Sequence, residues 1–121
     1  MDTLCKIRDI YRGIAEFESQ FQKMYDLSLN EGMLLCTISK EGKCSSGELA
    51  RLMALSNSNT SKVIKSVEEK GLIERLMGEC DKRQMCFSLT KDGLIKLHEI
   101  KCEVTALPPI LQNVLRGANG C

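Results

Sequence analysis

The chain has 121 residues, enough for one ordinary domain, and its 17 basic and 16 acidic residues leave a formal net charge of +1 at pH 7. It carries no signal peptide, no apolar run long enough to span a membrane and no internal repeat, so we expect a cytoplasmic protein that does not contact membranes. The balanced charge excludes a uniformly basic nucleic-acid-binding protein, so any surface of that kind has to be local.

A long amphipathic helix is predicted at the start of the chain. Its apolar residues recur at steps of three and four, namely Leu4, Ile7, Ile10, Tyr11, Ile14, Phe17, Phe21, Met24 and Tyr25. A helix of about 20 residues extends roughly 30 Å. A small domain cannot easily cover that length, so part of the stripe is predicted to pack against a second copy of the chain.

Three shorter helices follow. The spacing Ser28 to Glu31 is that of a capping box and predicts a buried helix that stops at Gly42. Ser45 and Glu48 repeat the spacing before a second apolar face. A tight turn over 54–56 then leads to the third helix. Two short helices joined by about three residues are typical of a helix-turn-helix.

The third helix is the candidate DNA-contacting element. Ser56 can cap its start, and Gly71 suits the left-handed position after its end. One stripe of this helix is predicted to pack, through Thr60, Val63, Ile64 and Val67. The opposite side carries Ser58, Ser61, Lys62 and Lys65, with Asn57, Asn59 and Thr60 as second-rank contacts. No acidic residue occurs between Ser56 and Val67, which favours entry of the N-terminal half into the major groove of DNA.

A β-hairpin and further helices complete the pattern. Residues 72–77 and 85–89 are strand-like, and the charged connector between them is predicted to present Lys82 and Arg83 at its tip. Thr90 can cap a helix that is predicted to run to Pro108, where Pro108 and Pro109 break it. One short helix is predicted after Pro109.

The order of motifs resembles the MarR-type transcriptional regulators. The resemblance rests on Glu48-Leu49-Ala50, on 67–75 (Val-Glu-Glu-Lys-Gly-Leu-Ile-Glu-Arg), on Asp81-Lys82-Arg83 and on Leu89-Thr90-Lys91-Asp92-Gly93. It implies a mainly α fold with a small β-hairpin wing, a winged helix-turn-helix with N- and C-terminal dimerisation helices. We therefore expect a single domain over 1–121, with a DNA-binding lobe at 28–90 and dimerisation helices at 1–27 and 91–121. The C-terminal helices are shorter than is usual in the family.

The resemblance also implies roles for particular residues and partners. Arg83 is expected to reach the minor groove or its phosphates, with Lys82 beside it, and Asp81 and Arg75 are expected to support the wing. A surface ion pair between Asp81 and either arginine is the alternative. The implied protein is a homodimeric repressor that binds a pseudo-palindromic operator in double-stranded DNA and responds to a small-molecule effector, whose crevice could include Tyr11, Tyr25, Met33 and His98.

The seven cysteines allow a second mode of regulation. They contain no Cys-x-x-Cys pair and no secretory context, so neither a zinc ribbon nor a disulfide framework is predicted. His98 and Cys102 lie four residues apart but provide only two ligands, so no metal site is predicted. A thiol-sensing regulator remains an alternative, with Cys80 and Cys5 as candidate redox residues. Cys36, Cys86 and Cys102 are predicted to be small core residues.

A further alternative is a winged helix that binds another protein and not DNA. An enzyme is not predicted, because the chain has one histidine, His98, no recognisable pair of nucleophile and base, and no glycine-rich phosphate loop. No cofactor is predicted for the same reasons.

Overall fold

The structure, a computed structural model, describes residues 2–76, 85–100 and 107–119. The helices and strands in these ranges are α1 (Asp2–Tyr25), α2 (Leu29–Glu41), β1 (Cys44–Ser45), α3 (Ser46–Met53), α4 (Asn57–Glu69), β2 (Ile73–Leu76), β3 (Cys86–Leu89), α5 (Lys91–Glu99) and α6 (Pro109–Asn119). This is the order of helices and hairpin strands predicted for a winged helix-turn-helix. Among the described residues, no helix combines the length and the apolar character needed to cross a lipid bilayer.

The chain divides into two compact units, Met1–Ser28 with Lys101–Cys121, and Leu29–Ile100. In the first unit, α1 packs against α6, and the two helices approach closely at Gly13. A Cβ atom added there would lie 2.6 Å from Cγ2 of Ile110. The rings of Phe17, Phe21 and Tyr25 contact one another in sequence along α1 in tilted pairs, with centroids 5.8 and 4.9 Å apart.

Most of the predicted apolar stripe of α1 is open to solvent in the single chain. Of the α1 residues, only Gly13 and Phe21 are buried. The large apolar side chains of α1 that remain exposed are Leu4, Ile7, Tyr11, Ile14 and Met24. The amphipathic helix is therefore present, but the described residues leave most of its large apolar side chains exposed.

The second unit has a hydrophobic core under a three-stranded antiparallel sheet. The buried apolar residues of this unit include Leu34, Leu35, Ile38, Leu49, Ile64, Val67, Leu72, Ile73 and Phe87. The strand order is β1-β3-β2, so β3 lies in the middle. Cys44 pairs with Phe87 on one side of β3, and Arg75 pairs with Phe87 on the other. The two-residue strand β1 was not predicted, because its sequence has no alternating pattern long enough to detect.

The helix after Thr90 is shorter than predicted. It ends at Glu99, and the backbone of Ile100, with φ of −80° and ψ of 85°, is not helical. Residues 101–106, with Val104 of the predicted stripe, lie outside the described residues. In the second unit, α5 packs against α2 and β3. The predicted helix after the prolines is confirmed, and it begins at Pro109. Proline is well tolerated at this position, because the first N–H groups of a helix form no intrahelical hydrogen bond.

Candidate nucleic-acid interface

The first helix of the candidate site begins with the predicted capping box. The N–H of Glu48 donates to Oγ of Ser45 at 3.1 Å, and the N–H of Ser45 donates to Oε1 of Glu48 at 3.1 Å. Hydrogen bonds from Ser45 lower the pKa of Glu48 from its ordinary value of 4.5, because they favour the ionised carboxylate. The bond from the backbone N–H of Ser45 has the larger effect on this pKa, and the side chain of Ser45 has the smaller. The two hydrogen bonds of the capping box also satisfy two backbone donors that a helix start leaves without partners.

A tight turn then reverses the chain between α3 and α4. Ala54 adopts a left-handed conformation with φ of 54°, and the N–H of Leu55 donates to the carbonyl of Ala50 at 3.0 Å. Ser56 caps the next helix by accepting a hydrogen bond from the N–H of Asn59 at 3.1 Å. The predicted turn and both caps are confirmed, so short-range hydrogen bonds determine where α4 begins.

The outer face of α4 carries the predicted DNA-binding residues. Ser58, Ser61, Lys62 and Lys65 are all exposed, as are Asn57 and Asn59. Neither Lys62 nor Lys65 forms an ion pair with another described residue. The face therefore offers two cationic groups and several small hydrogen-bonding groups without a competing carboxylate in the first three turns of the helix.

Thr60 does not belong to this outer face. Its side chain is buried, with 1% of the residue exposed, and its Oγ1 donates to the carbonyl of Ser56 at 2.8 Å. The prediction of a DNA contact at Thr60 was wrong. Because successive helical residues are about 100° apart, Thr60 lies on the same side as Ile64 and Val67, and both of these are buried.

Gly71 ends α4 in the predicted left-handed conformation, with φ of 76°. The N–H of Leu72 donates to the carbonyl of Val67 at 3.1 Å, and the N–H of Gly71 donates to that of Glu68 at 3.0 Å. This pair of hydrogen bonds is the Schellman motif. It leads directly into β2, so the helix and the hairpin follow one another without a loose linker.

A polar cluster around the buried carboxylate of Glu31 joins α2 to the end of α4. Glu31 is 5% exposed, and its carboxylate accepts hydrogen bonds from Oγ of Ser66 at 2.7 Å and from Nζ of Lys70 at 3.1 Å. The sequence spacing had indicated only a capping role for Glu31. Nothing in the local sequence identifies this cluster, because Ser66 lies 35 residues from Glu31 and Lys70 lies 39 residues from it.

Arg75 joins α4 to the hairpin on another side. Its guanidinium donates two hydrogen bonds to the carboxylate of Glu68, at 2.7 and 3.2 Å, and lies 5.7 Å from the centre of the Phe87 ring. The hydrogen bonds from Arg75 to Glu68 raise the pKa of the arginine. Glu68 was not predicted as a partner of Arg75, for which the sequence had suggested Asp81.

The predicted wing tip lies outside the described residues, and with it Cys80, Asp81, Lys82 and Arg83. The strands that lead to and from it are described. Phe87 and Cys86 are both buried, so β3 does not show the simple alternation expected for Met85, Phe87 and Leu89. Successive residues of a strand point to opposite faces, so both faces of β3 are covered at Cys86 and Phe87.

The glycine of the Leu-Thr-x-x-Gly motif allows a close backbone contact. A Cβ atom added to Gly93 would overlap the carbonyl oxygen of Leu72. Thr90 caps α5 by accepting from the N–H of Gly93 at 3.0 Å, and its own hydroxyl donates to the carbonyl of Gly71 at 2.7 Å. The motif thus fastens the start of α5 to the residues that end α4.

The described cysteines differ in their exposure. Cys5 is exposed and free, as a redox candidate requires. Cys36 is also exposed and free, so the prediction that it is a core residue was wrong. Cys44 is buried, and burial raises the pKa of its thiol to about 11. Cys86 is buried as predicted, but it is disulfide-bonded and is not a free thiol.

A groove of about 290 Å³ lies between α2 and α3 in the second unit. It is lined by Met33, Cys36, Thr37, Lys40, Leu52 and Met53. Of the residues expected to line an effector crevice, only Met33 lines this groove. Among the described residues, no group of three or more His, Cys, Asp or Glu side chains is placed to hold a metal ion.

Comparison with known proteins identifies the second unit. The model of the MarR family matches residues 27–85, which run from two residues before α2 to the residue before β3. Through these residues, the chain belongs to the MarR family. The match includes the helix-turn-helix and β2, so the family resemblance rests largely on elements whose geometry is described above.

Relatives of this MarR-family chain are named as regulators. The HTH-type transcriptional regulator SarZ of Staphylococcus haemolyticus is 27% identical over 74 residues, which are 61% of this chain and 50% of SarZ. The chain therefore spans about half the length of this curated relative. The transcriptional regulator BldR of Sulfolobus solfataricus is 26% identical, with a TM-score of 0.74 over 97% of this chain and 79% of BldR.

A third protein shares the fold of the MarR-family chain. BpsR of Bordetella bronchiseptica, whose DNA binding is regulated by 6-hydroxynicotinic acid, has a TM-score of 0.71 and 22% identity. The match covers 83% of this chain and 76% of BpsR. SarZ and BldR are named as transcriptional regulators, and none of the three is named as an enzyme.

Proposed function

We propose that this chain is a sequence-specific transcriptional regulator that binds double-stranded DNA. The observation that carries the proposal is the outer face of α4, which exposes Lys62 and Lys65 without carboxylate partners among the described residues. The start of α4 adds the positive end of the helix dipole, and the serine hydroxyls beside the lysines can donate to phosphates or base edges. The names of SarZ and BldR support the same activity.

The wing is proposed to make the second contact with DNA. Lys82 and Arg83 would meet the backbone or the minor groove, where a narrow groove concentrates negative potential. Asp81 would hold the arginine in place. This part of the proposal rests on the sequence motif, and on the described strands β2 and β3, which lead toward and away from the tip.

The regulator is proposed to act as a homodimer on a pseudo-palindromic operator. The exposed apolar side chains of α1 support this, because a second copy could bury Leu4, Ile7 and Tyr11. Two copies related by a two-fold axis would present two α4 helices to successive half-sites. The regulator would act as a repressor, which blocks transcription by occupying the operator. Its proposed location is the cytoplasm of a bacterial or archaeal cell.

A small-molecule effector is proposed to release the DNA. BpsR supports this idea, since 6-hydroxynicotinic acid regulates its DNA binding. An effector would lower the affinity for DNA if it bound more tightly to a dimer whose two α4 helices are not spaced to reach both half-sites. The coupling energy between effector and DNA binding is typically about 1 to 3 kcal/mol. Regulation by thiol oxidation is the second candidate, favoured by the exposed, free thiol of Cys5.

The main experiment is the selection of bound fragments from random duplex DNA. An enriched inverted repeat is expected if the chain is a dimeric regulator. Binding to the selected site is then measured against salt for the wild type, Lys62→Ala and Lys65→Ala, with Lys23→Ala in α1 as the control. Loss of one phosphate contact should reduce the slope of log K against log salt by about 0.9. If no sequence is enriched and all four proteins bind DNA equally weakly, the regulator assignment fails and a protein-binding role is favoured.

The mode of regulation is tested on the same operator. A thiol oxidant should leave DNA binding intact if the signal is a small ligand alone. If the oxidant releases the wild type but not Cys5→Ser or Cys80→Ser, the effector proposal gives way to thiol sensing at that residue. Sedimentation of the wild type beside Tyr11→Glu tests the dimer, because a charge placed on the α1 stripe should dissociate it.

A further inference from the structure

We infer that Glu31 is a positioning residue for α4: its buried carboxylate fixes the orientation of the proposed recognition helix without touching DNA. This inference rests on the proposed function for its effect on affinity. The structural part of it, that Glu31 holds α4 in one orientation, can be tested without DNA.

The geometry of the Glu31 cluster is that of a two-point attachment. Oε2 of Glu31 accepts from Oγ of Ser66 at 2.7 Å, and Nζ of Lys70 lies 3.1 Å from both Oε1 and Oε2. Ser66 and Lys70 are four residues apart, so they are neighbours on one side of the helix. A translation of α4 along its axis, or a rotation about it, would lengthen both hydrogen bonds together.

The opposite flank of α4 is held separately. Ser66 and Glu68 are two residues apart, which places them about 200° apart around the helix at about 100° per residue. Glu31 therefore holds one flank of the packed face, and Arg75 holds the other through Glu68. The exposed residues Lys62 and Lys65 lie between these flanks, on the side away from the core.

The two attachments differ in strength because they differ in burial. The carboxylate side chain is 7% exposed for Glu31 and 28% exposed for Glu68, and the cationic partners Lys70 and Arg75 are 37% and 54% exposed. Water and salt screen the Arg75 pair, so it resists displacement only weakly. Glu31 cannot recover water as an alternative partner without opening the packed interface, so loss of its hydrogen bonds carries a larger penalty.

Apolar packing alone would leave the orientation of α4 loosely defined. The contacts of Ile64 and Val67 with the core depend on buried area, which changes little with a small rotation. Hydrogen bonds to an ionised carboxylate are directional and short. The cluster thus selects one rotation among several that bury similar area, and a shift of α4 would misalign Lys62 and Lys65 on the DNA.

The test compares Glu31→Gln with Glu69→Gln, a matched change at an exposed carboxylate of α4. Glu31→Gln should weaken binding to the selected operator by roughly 3- to 30-fold, the range found for residues that modulate affinity without touching the ligand. The slope of log K against log salt should stay at the wild-type value, because no phosphate contact is lost. Glu69→Gln should change neither quantity.

A second measurement follows backbone amide hydrogen exchange in α4 without DNA. Exchange at Ser61–Val67 should be faster in Glu31→Gln than in the wild type, and unchanged in Glu69→Gln. Ser66→Ala removes the hydrogen bond from Oγ of Ser66 to Glu31 while favouring the helix, so it provides a well-folded second variant that should show a smaller effect in the same direction.

The outcomes separate the inference from the proposed function. Unchanged exchange in α4 and unchanged affinity in both Glu31→Gln and Ser66→Ala would overturn the positioning role. A lower melting temperature with unchanged operator affinity would also overturn it, because Glu31 would then be only a stabilising residue. If the wild type selects no DNA sequence but Glu31→Gln still accelerates exchange in α4, the regulator proposal fails while the positioning role stands.

Discussion

The guanidinium of Arg75 donates two hydrogen bonds to the carboxylate of Glu68, so the first strand of the hairpin is tied to the last turn of α4. The same guanidinium lies over the ring of Phe87 in the facing strand. Arg75 lies in β2 and contacts both α4, through Glu68, and β3, through Phe87. Its contribution concerns the direction of the hairpin more than global stability, because the pair is exposed.

Substitution of Arg75 by lysine or alanine should loosen the hairpin. Lysine keeps the charge but cannot make the two parallel hydrogen bonds of a guanidinium. We expect faster amide exchange in β2 and β3 for both variants, with little change in the melting temperature. Hydrogen exchange followed by NMR checks this. Wild-type exchange in Arg75→Lys would show that the charge alone is sufficient and that the paired hydrogen bonds are not needed.

Gly93→Ala should be strongly destabilising. The new Cβ atom would overlap the carbonyl oxygen of Leu72, and neither can move unless the backbone of Gly93 or Leu72 shifts. We expect a loss of roughly 3 kcal/mol or more in the free energy of unfolding, at the upper end of the cost of overpacking. Urea denaturation provides the measurement.

Gly47→Ala is the matched control for Gly93. An added Cβ at Gly47 has no neighbour within 4 Å, and the residue lies within α3. Replacement of a helical glycine by alanine should raise the free energy of unfolding by about 0.5 to 1 kcal/mol. Equal losses in the two variants would mean that the contact between Gly93 and Leu72 is not the cause.

Protonation of Glu48 should weaken the fold at acidic pH. Its hydrogen bonds with Ser45 hold the folded-state pKa below the ordinary value of 4.5. The stabilisation is therefore present above about pH 4.5 and is lost as the pH falls through the lower, folded-state pKa. Glu48→Gln cannot titrate there, so its stability should fall less than that of the wild type between neutral and acidic pH. Thermal melts at several pH values provide the test, and parallel curves for the two proteins would contradict this assignment.

Thiol labelling should distinguish the described cysteines. In the native protein at pH 8, iodoacetamide should modify Cys5 and Cys36, which are exposed, before Cys44. Burial raises the pKa of Cys44 to about 11. The thiolate fraction of Cys44 at pH 8 is therefore roughly one in a thousand. Burial also keeps the reagent away from this thiol. Peptide mass spectrometry measures the modification, with denatured protein as the control. Early labelling of Cys44 would show that β1 opens readily.

The sequence predicted the elements whose causes are local. Ser45, Ser56 and Thr90 each act on backbone groups within three residues, and Gly42 and Gly71 adopt the left-handed conformation that their positions indicated. Such interactions depend on neighbours in the chain, so spacing and residue type are enough to find them. The faces of α4 were predicted for the same reason, since a helical period fixes which side chains share a side.

The errors and omissions have long-range causes. The pairing of Glu31 with Ser66 and Lys70 depends on how α2 and α4 meet, and the strand β1 exists because its two residues reach β3. Thr60 was assigned to two faces because its hydroxyl suits DNA, while its position on the helical period suits the core. Its hydrogen bond to Ser56 removes the conflict by satisfying the hydroxyl within the helix.

Leu72 connects the end of α4, the start of the hairpin and the residue that caps α5. Its N–H is bound to Val67, and its carbonyl receives the N–H of Thr90. Within the described residues, these two hydrogen bonds fix the base of the hairpin to the residues that end α4 and precede α5. Under the proposed function, a signal that moves the hairpin away from α4 would first have to break them.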